Sequence, residues 1–62
     1  MELVLDNRTS RMDFDGTLIE LLRELRVMRE EVVVKVNGKL APETAKIKPD
    51  DRVEIIKVVF GG

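Results

Sequence analysis

A chain of 62 residues, 44% hydrophobic and 37% charged, holds one small domain: a fold this short buries only about 60% of the surface its unfolded chain exposes, so a single core takes nearly every apolar residue. Cys, His, Trp and Tyr are absent, which excludes disulfides, thiolate nucleophiles, histidine acid–base pairs and the usual zinc constellations. Eleven Lys and Arg against twelve Asp and Glu leave a net charge of -1, so no global field gathers nucleic acid or an anionic membrane. No apolar run approaches the roughly 18 residues of a membrane span, and Glu2 and Asp6 come too early for a signal peptide, so a soluble cytoplasmic protein is expected. The lack of Gln and Cys beside many Glu, Lys and Arg is a composition that heat-adapted proteins favour and that a short chain also reaches by chance.

The opening Met1-Glu2-Leu3-Val4-Leu5 alternates, with Met1, Leu3 and Leu5 on one side. Asp6-Asn7-Arg8-Thr9 is a polar break, and Arg11-Met12-Asp13-Phe14 alternates again, so a hairpin is expected with Met12 and Phe14 joining the first strand's apolar face. Thr17 with Glu20 three residues on is a capping-box pattern that starts a helix. Leu18, Leu21, Leu22 and Leu25 then fall on one helical stripe, and the exit is expected near Met28. Val32-Val33-Val34-Lys35-Val36 is a β-branched strand, Asn37-Gly38 a tight reversal, and Lys39-Leu40 a return that Pro42 keeps short and off-centre. Residues 41–48 read as an irregular link with Ile47 as anchor. After a turn at Pro49-Asp50-Asp51-Arg52, the longest strand, from Val53 to Val59, is apolar on both faces and suits the sheet centre.

One helix with one apolar stripe must cover one sheet. The helix falls between the second and third strands, and the last strand is best placed beside the first and parallel to it, with right-handed connections. The fold class expected is α+β: a β-grasp, with a mixed sheet of four to five strands covered on one face by one helix, spanning 1–59, followed by a flexible tail over 60–62. Alternation that turns Leu3, Val34 and Ile55 toward the helix turns Val4, Val33, Ile56 and Val58 away from it. Four aliphatics on the open face make a candidate docking patch, with self-association as the other way to cover it.

Chemistry has few places to sit. Asp13/Asp15, Glu30/Glu31 and Asp50/Asp51 are neighbours in turn and exit segments, where carboxyls diverge instead of converging on a substrate or a metal, so no catalytic residue and no metal site is expected. The end of the sequence remains: the last strand runs into Phe60-Gly61-Gly62. A terminal Gly-Gly has no side-chain bulk, threads a narrow channel and adopts unusual dihedrals at little cost. Its carboxylate becomes reactive once ATP supplies an adenylate leaving group, after which a sulfur nucleophile can form a thiocarboxylate. Such chemistry needs no catalytic group on the carrier itself.

The run Val33-Val34-Lys35-Val36-Asn37-Gly38-Lys39-Leu40-Ala41-Pro42, then Pro49-Asp50-Asp51-Arg52-Val53-Glu54-Ile55-Ile56 and the ending Val58-Val59-Phe60-Gly61-Gly62, resembles the ThiS/MoaD group of ubiquitin-like sulfur carriers, and the helix opening Thr17-Leu18-Ile19-Glu20-Leu21-Leu22 extends the resemblance over nearly the whole chain. The resemblance implies a carrier, not an enzyme, adenylated at Gly62 by an E1-like activating enzyme. Gly62 would take the adenylate, thiocarboxylate or isopeptide, and Phe60 and Gly61 would thread the activating enzyme's channel. It also implies no bound cofactor, ATP consumed by the partner, and a sulfur donor such as a persulfide-bearing desulfurase. A downstream enzyme of tRNA thiolation or of thiamine or molybdopterin synthesis would receive the sulfur, with no direct nucleic-acid or membrane contact, and archaeal relatives also modify lysines. Pro42-Glu43-Thr44-Ala45 lacks the Pro-Arg and aromatic pattern of thiamine-type carriers, and Lys57-Val58-Val59 lacks the proline pair of molybdopterin-type carriers, which leaves the short archaeal modifiers nearest. A noncovalent ubiquitin-like interaction module with an incidental tail is the alternative from another class.

Overall fold

The computed structural model describes residues 1–58. In chain order its elements are β1 (Glu2–Leu5), β2 (Arg8–Arg11), β3 (Gly16–Thr17), α1 (Leu18–Leu25), a 3-10 turn (Arg29–Glu31), β4 (Val32–Val36), β5 (Lys39–Leu40), β6 (Lys46–Ile47) and β7 (Arg52–Lys57). Five strands form one mixed sheet in the order β2-β1-β7-β4-β5. β1 and β7 run parallel in the middle, and the other neighbours are antiparallel. The apolar stripe of α1 explains why it lies on one face: Leu18, Leu21 and Leu22 meet Leu3, Val34, Ile47, Val53 and Ile55 in a single buried cluster. This is the β-grasp architecture expected from the element order, with the last strand central as its two apolar faces required.

The N-terminal hairpin is present, but its second strand lies earlier than the alternation of residues 11–14 suggested. Asp6 and Asn7 adopt φ of 52° and 62°, the left-handed pair of a two-residue turn, so pairing resumes at once with Leu5 opposite Arg8. All four residues of β2 are exposed; this polar edge strand is held by its backbone, which hydrophobic periodicity does not register. Met1 and Met12 prolong the ladder by exchanging backbone bonds of 2.7 and 3.0 Å. Met12 and Phe14 do pack against the core, from an irregular stretch instead of a strand.

α1 begins at the capping box as its residues dictate. The Thr17 side chain accepts from the Glu20 N–H, and the Glu20 carboxylate accepts from both the N–H and the hydroxyl of Thr17. The exit comes at Leu25, three residues before Met28. Arg26 turns left-handed (φ 59°, ψ 40°). Its N–H bonds the Arg23 carbonyl at 3.1 Å while the Val27 N–H reaches back to Leu22 at 2.9 Å, the pairing of a Schellman motif. Val27 packs against the core, and that burial offsets the roughly 1–2 kcal/mol that a Cβ costs in the left-handed region.

The link over residues 41–48 is more ordered than its sequence indicates. Ile47 is fully buried, as its isolation among polar residues foretold, but Lys46–Ile47 also pairs antiparallel with Gly16–Thr17 in a second, two-stranded sheet. Two link carbonyls, those of Ala45 and Glu43, accept from the Leu18 and Ile19 N–H groups at 2.8 and 2.9 Å. Those donors have no partner inside the helix, so the link completes the start of α1.

Candidate functional site

The open sheet face carries the candidate patch. Val33 and Ile56 are register partners across β4 and β7, and each is 38% exposed, high for aliphatic side chains in the inner strands of a sheet. Val58 follows Ile56 by one alternation; its N–H donates to the Glu31 carbonyl at 2.8 Å, so the pairing beside β4 extends one residue past β7. Val4 sits one register row away, between Thr9 on β2 and Glu54 on β7. Val4 and Val58 are half-buried. The four residues therefore form a cluster of three where β7 ends, with Val4 beside it next to Glu54.

Charged residues border this cluster. Glu54 lies in register between Val4 and Lys35. An Arg52–Glu2 pair at 2.9 Å occupies the far end of β7, and a Lys57–Asp6 pair at 3.4 Å lies near Ile56. These pairs are solvent-exposed, so they orient side chains more than they stabilise the fold. Two exposed apolar residues escaped the sequence reading: Leu40, 70% exposed, and Met28, 60%. The signal for Leu40 was present, because a two-residue turn at Asn37-Gly38 sets Leu40 opposite Lys35 and hence on the face that Val33 shares. Met28 lies between the helix exit and the 3-10 turn, where neither periodicity applies.

The perturbed carboxyls all have structural partners. Asp51 is held below the usual carboxylate range by the Lys48 backbone N–H and then by the Asn37 amide. Glu20 is lowered chiefly by the Thr17 hydroxyl. Glu30 is lowered by its own backbone N–H and then by Arg29. The Arg29 guanidinium is raised chiefly by its contact with both carboxylate oxygens of Glu43, a pair that ties the 3-10 turn to the link. Among the described residues, no three His, Cys, Asp or Glu side chains come together as metal ligands. No helix among the described residues is long and apolar enough to cross a membrane. Phe60, Gly61 and Gly62, the residues of the candidate tail and attachment site, lie outside the described residues.

Four similarities bear on this arrangement. The model of the ThiS family matches residues 2–62. Small archaeal modifier protein 2 of Haloferax volcanii is 35% identical over 51 residues, which cover 82% of this chain and 76% of that protein. The crystal structure of the thiamine biosynthesis protein ThiS from Geobacter metallireducens aligns over the whole of both chains with a TM-score of 0.69 at 29% identity. A solution structure of a thiamine biosynthesis protein from the same organism gives 0.67 at 30% identity, covering all of this chain and 88% of that one.

Proposed function

We propose, because the chain belongs to the ThiS family of ubiquitin-like sulfur carriers, that Gly62 is its point of chemical charging and that the Val33/Ile56/Val58 cluster, with Val4, docks the enzyme that charges it. The observation that carries the reading is the continuity of the family match through Gly62 on a chain whose central strand, β7, leads toward that residue. A docking surface beside the end of β7 leaves the last residues to enter a partner's active site.

An oxygen of the Gly62 carboxylate attacks the α-phosphorus of ATP in the partner's site and displaces pyrophosphate. A sulfur nucleophile at the level of sulfide then adds to the acyl carbon, and AMP departs with the bonding pair. Where the sulfur arrives as a protein persulfide, a further thiol reduces the acyl disulfide first formed. The thiocarboxylate is handed on in tRNA thiolation or in thiamine or molybdopterin synthesis, in the cytoplasm, and the same acyl adenylate can instead be captured by a lysine amine. The carrier supplies a fold, a docking face and a carboxylate; the activating enzyme supplies the ATP site.

The test is pyrophosphate release by a cognate E1-like enzyme given ATP and this chain. The intact chain should support it, Gly62 deletion should abolish it, and Ile56→Asp should raise the carrier concentration required while circular dichroism stays native. An Ile56→Asp chain as effective as the intact one would remove the patch from the account.

A further inference from the structure

We propose that Asn37 is a deamidation site whose reaction is held in check by a clasp to Asp51. Asn37-Gly38 forms the turn between β4 and β5, at φ of 55° and 83°. Asn-Gly is the sequence in which the following backbone nitrogen meets least obstruction in attacking the asparagine amide, because glycine carries no side chain, and both residues are exposed here. The turn that suits this hairpin is thus also a site of chemical lability.

The clasp opposes that lability. The Asn37 Nδ2 donates to Asp51 Oδ1 at 2.8 Å, and Asn37 Oδ1 accepts from the Arg52 N–H at 3.0 Å. The Asn37 N–H donates to the Arg52 carbonyl at 2.8 Å. Asp51 is itself fixed, its other oxygen accepting from the Lys48 N–H at 2.8 Å. Both ends of the Asn37 amide are therefore engaged by a turn 14 and 15 residues away in sequence. Deamidation requires the Gly38 nitrogen to lose its proton and bond to the Asn37 side-chain carbon, with ammonia leaving from Nδ2. Water then opens the resulting succinimide to an aspartyl or isoaspartyl residue. Closing the ring swings the amide away from Asp51 and Arg52, so both side-chain hydrogen bonds must break first.

The product cannot restore the clasp. A carboxylate at position 37 lacks the Nδ2 donor and faces the Asp51 carboxylate across a hydrogen-bond distance, where two like charges separate instead of pairing. Asn37 is thereby a one-way reporter of how often the β4–β5 turn parts from the turn that feeds β7.

The experiment is peptide mapping of the full chain during incubation at mildly alkaline pH, following the gain of one mass unit and isoaspartate at residue 37. A free peptide covering residues 33–42 is run in parallel. Deamidation in the folded chain should be roughly ten- to hundredfold slower than in the peptide, because two hydrogen bonds must open together. Asp51→Ala, checked for native circular dichroism, should recover much of that factor. Equal rates in folded chain and peptide would overturn the proposal, as would a folded Asp51→Ala chain that deamidates as slowly as the original. The first comparison needs no variant and stands even if Asp51→Ala fails to fold.

Discussion

Leu22 links two parts of the molecule. Its side chain, 2% exposed, belongs to the core, and its carbonyl receives the Val27 N–H that closes the helix. Ile47, 0% exposed, is the only buried residue of the link. Leu22→Ala or Ile47→Ala should each lower stability by roughly 2–5 kcal/mol, through lost transfer energy and the cavity left behind. Against the roughly 5–15 kcal/mol that stabilises a whole domain, either loss is large. Leu25→Ala should cost less, since Leu25 is only half-buried. A thermal melt of Leu22→Ala with an unchanged midpoint would contradict the packing described. At this scale the core was legible because leucines at helical spacing and alternating valines state their faces directly. The Asn37–Asp51 contact was not: both residues are turn formers, and nothing local tells one turn that it will meet another.

Helix α1 shows which element boundaries a sequence carries. Its start depends on Thr17 and Glu20, three residues apart, and was legible. Its end depends on Arg26 in a conformation that glycine adopts freely, stabilised by Val27 reaching the core, and that information is tertiary. Arg26→Gly removes the Cβ penalty of the left-handed region and adds some backbone entropy to the unfolded chain. It should therefore raise stability by about 0.5–1 kcal/mol, read as a higher urea midpoint with an unchanged slope. A lower midpoint would mean that the Arg26 side chain itself contributes to the fold. The two-residue strands β3 and β6 were illegible for a related reason: each is too short to show alternation, and they pair because the link is drawn across the start of α1.

The sheet order of the whole molecule followed from three features: a single-striped helix, a final strand apolar on both faces, and the position of the helix between the second and third strands. Together they favour a central last strand parallel to the first, and β7 pairs with β1 in that sense. The outer face was legible in part. Alternation selected Val4, Val33, Ile56 and Val58, while the closeness of three of them comes from the register between β4 and β7. The candidate attachment site was a matter of sequence alone, since Gly61-Gly62 follows the central strand and the family match runs through it.

The composition of the chain allows charging at Gly62 to be tested without ambiguity. Exchange of one carboxylate oxygen for sulfur adds nearly the mass that oxidation of one of the three methionines would add, so mass alone is ambiguous. A thiol-selective alkylating reagent at mildly acidic to neutral pH removes the ambiguity, because the chain has no Cys to compete. After incubation with ATP, a cognate activating enzyme and a sulfur donor, tandem mass spectrometry should find one label, at Gly62, that disappears when ATP is withheld or the tail is extended by one residue. An enzyme that binds the chain and turns over ATP, yet leaves Gly62 without label, adenylate or lysine conjugate, would contradict the carrier account and leave a noncovalent interaction module in its place.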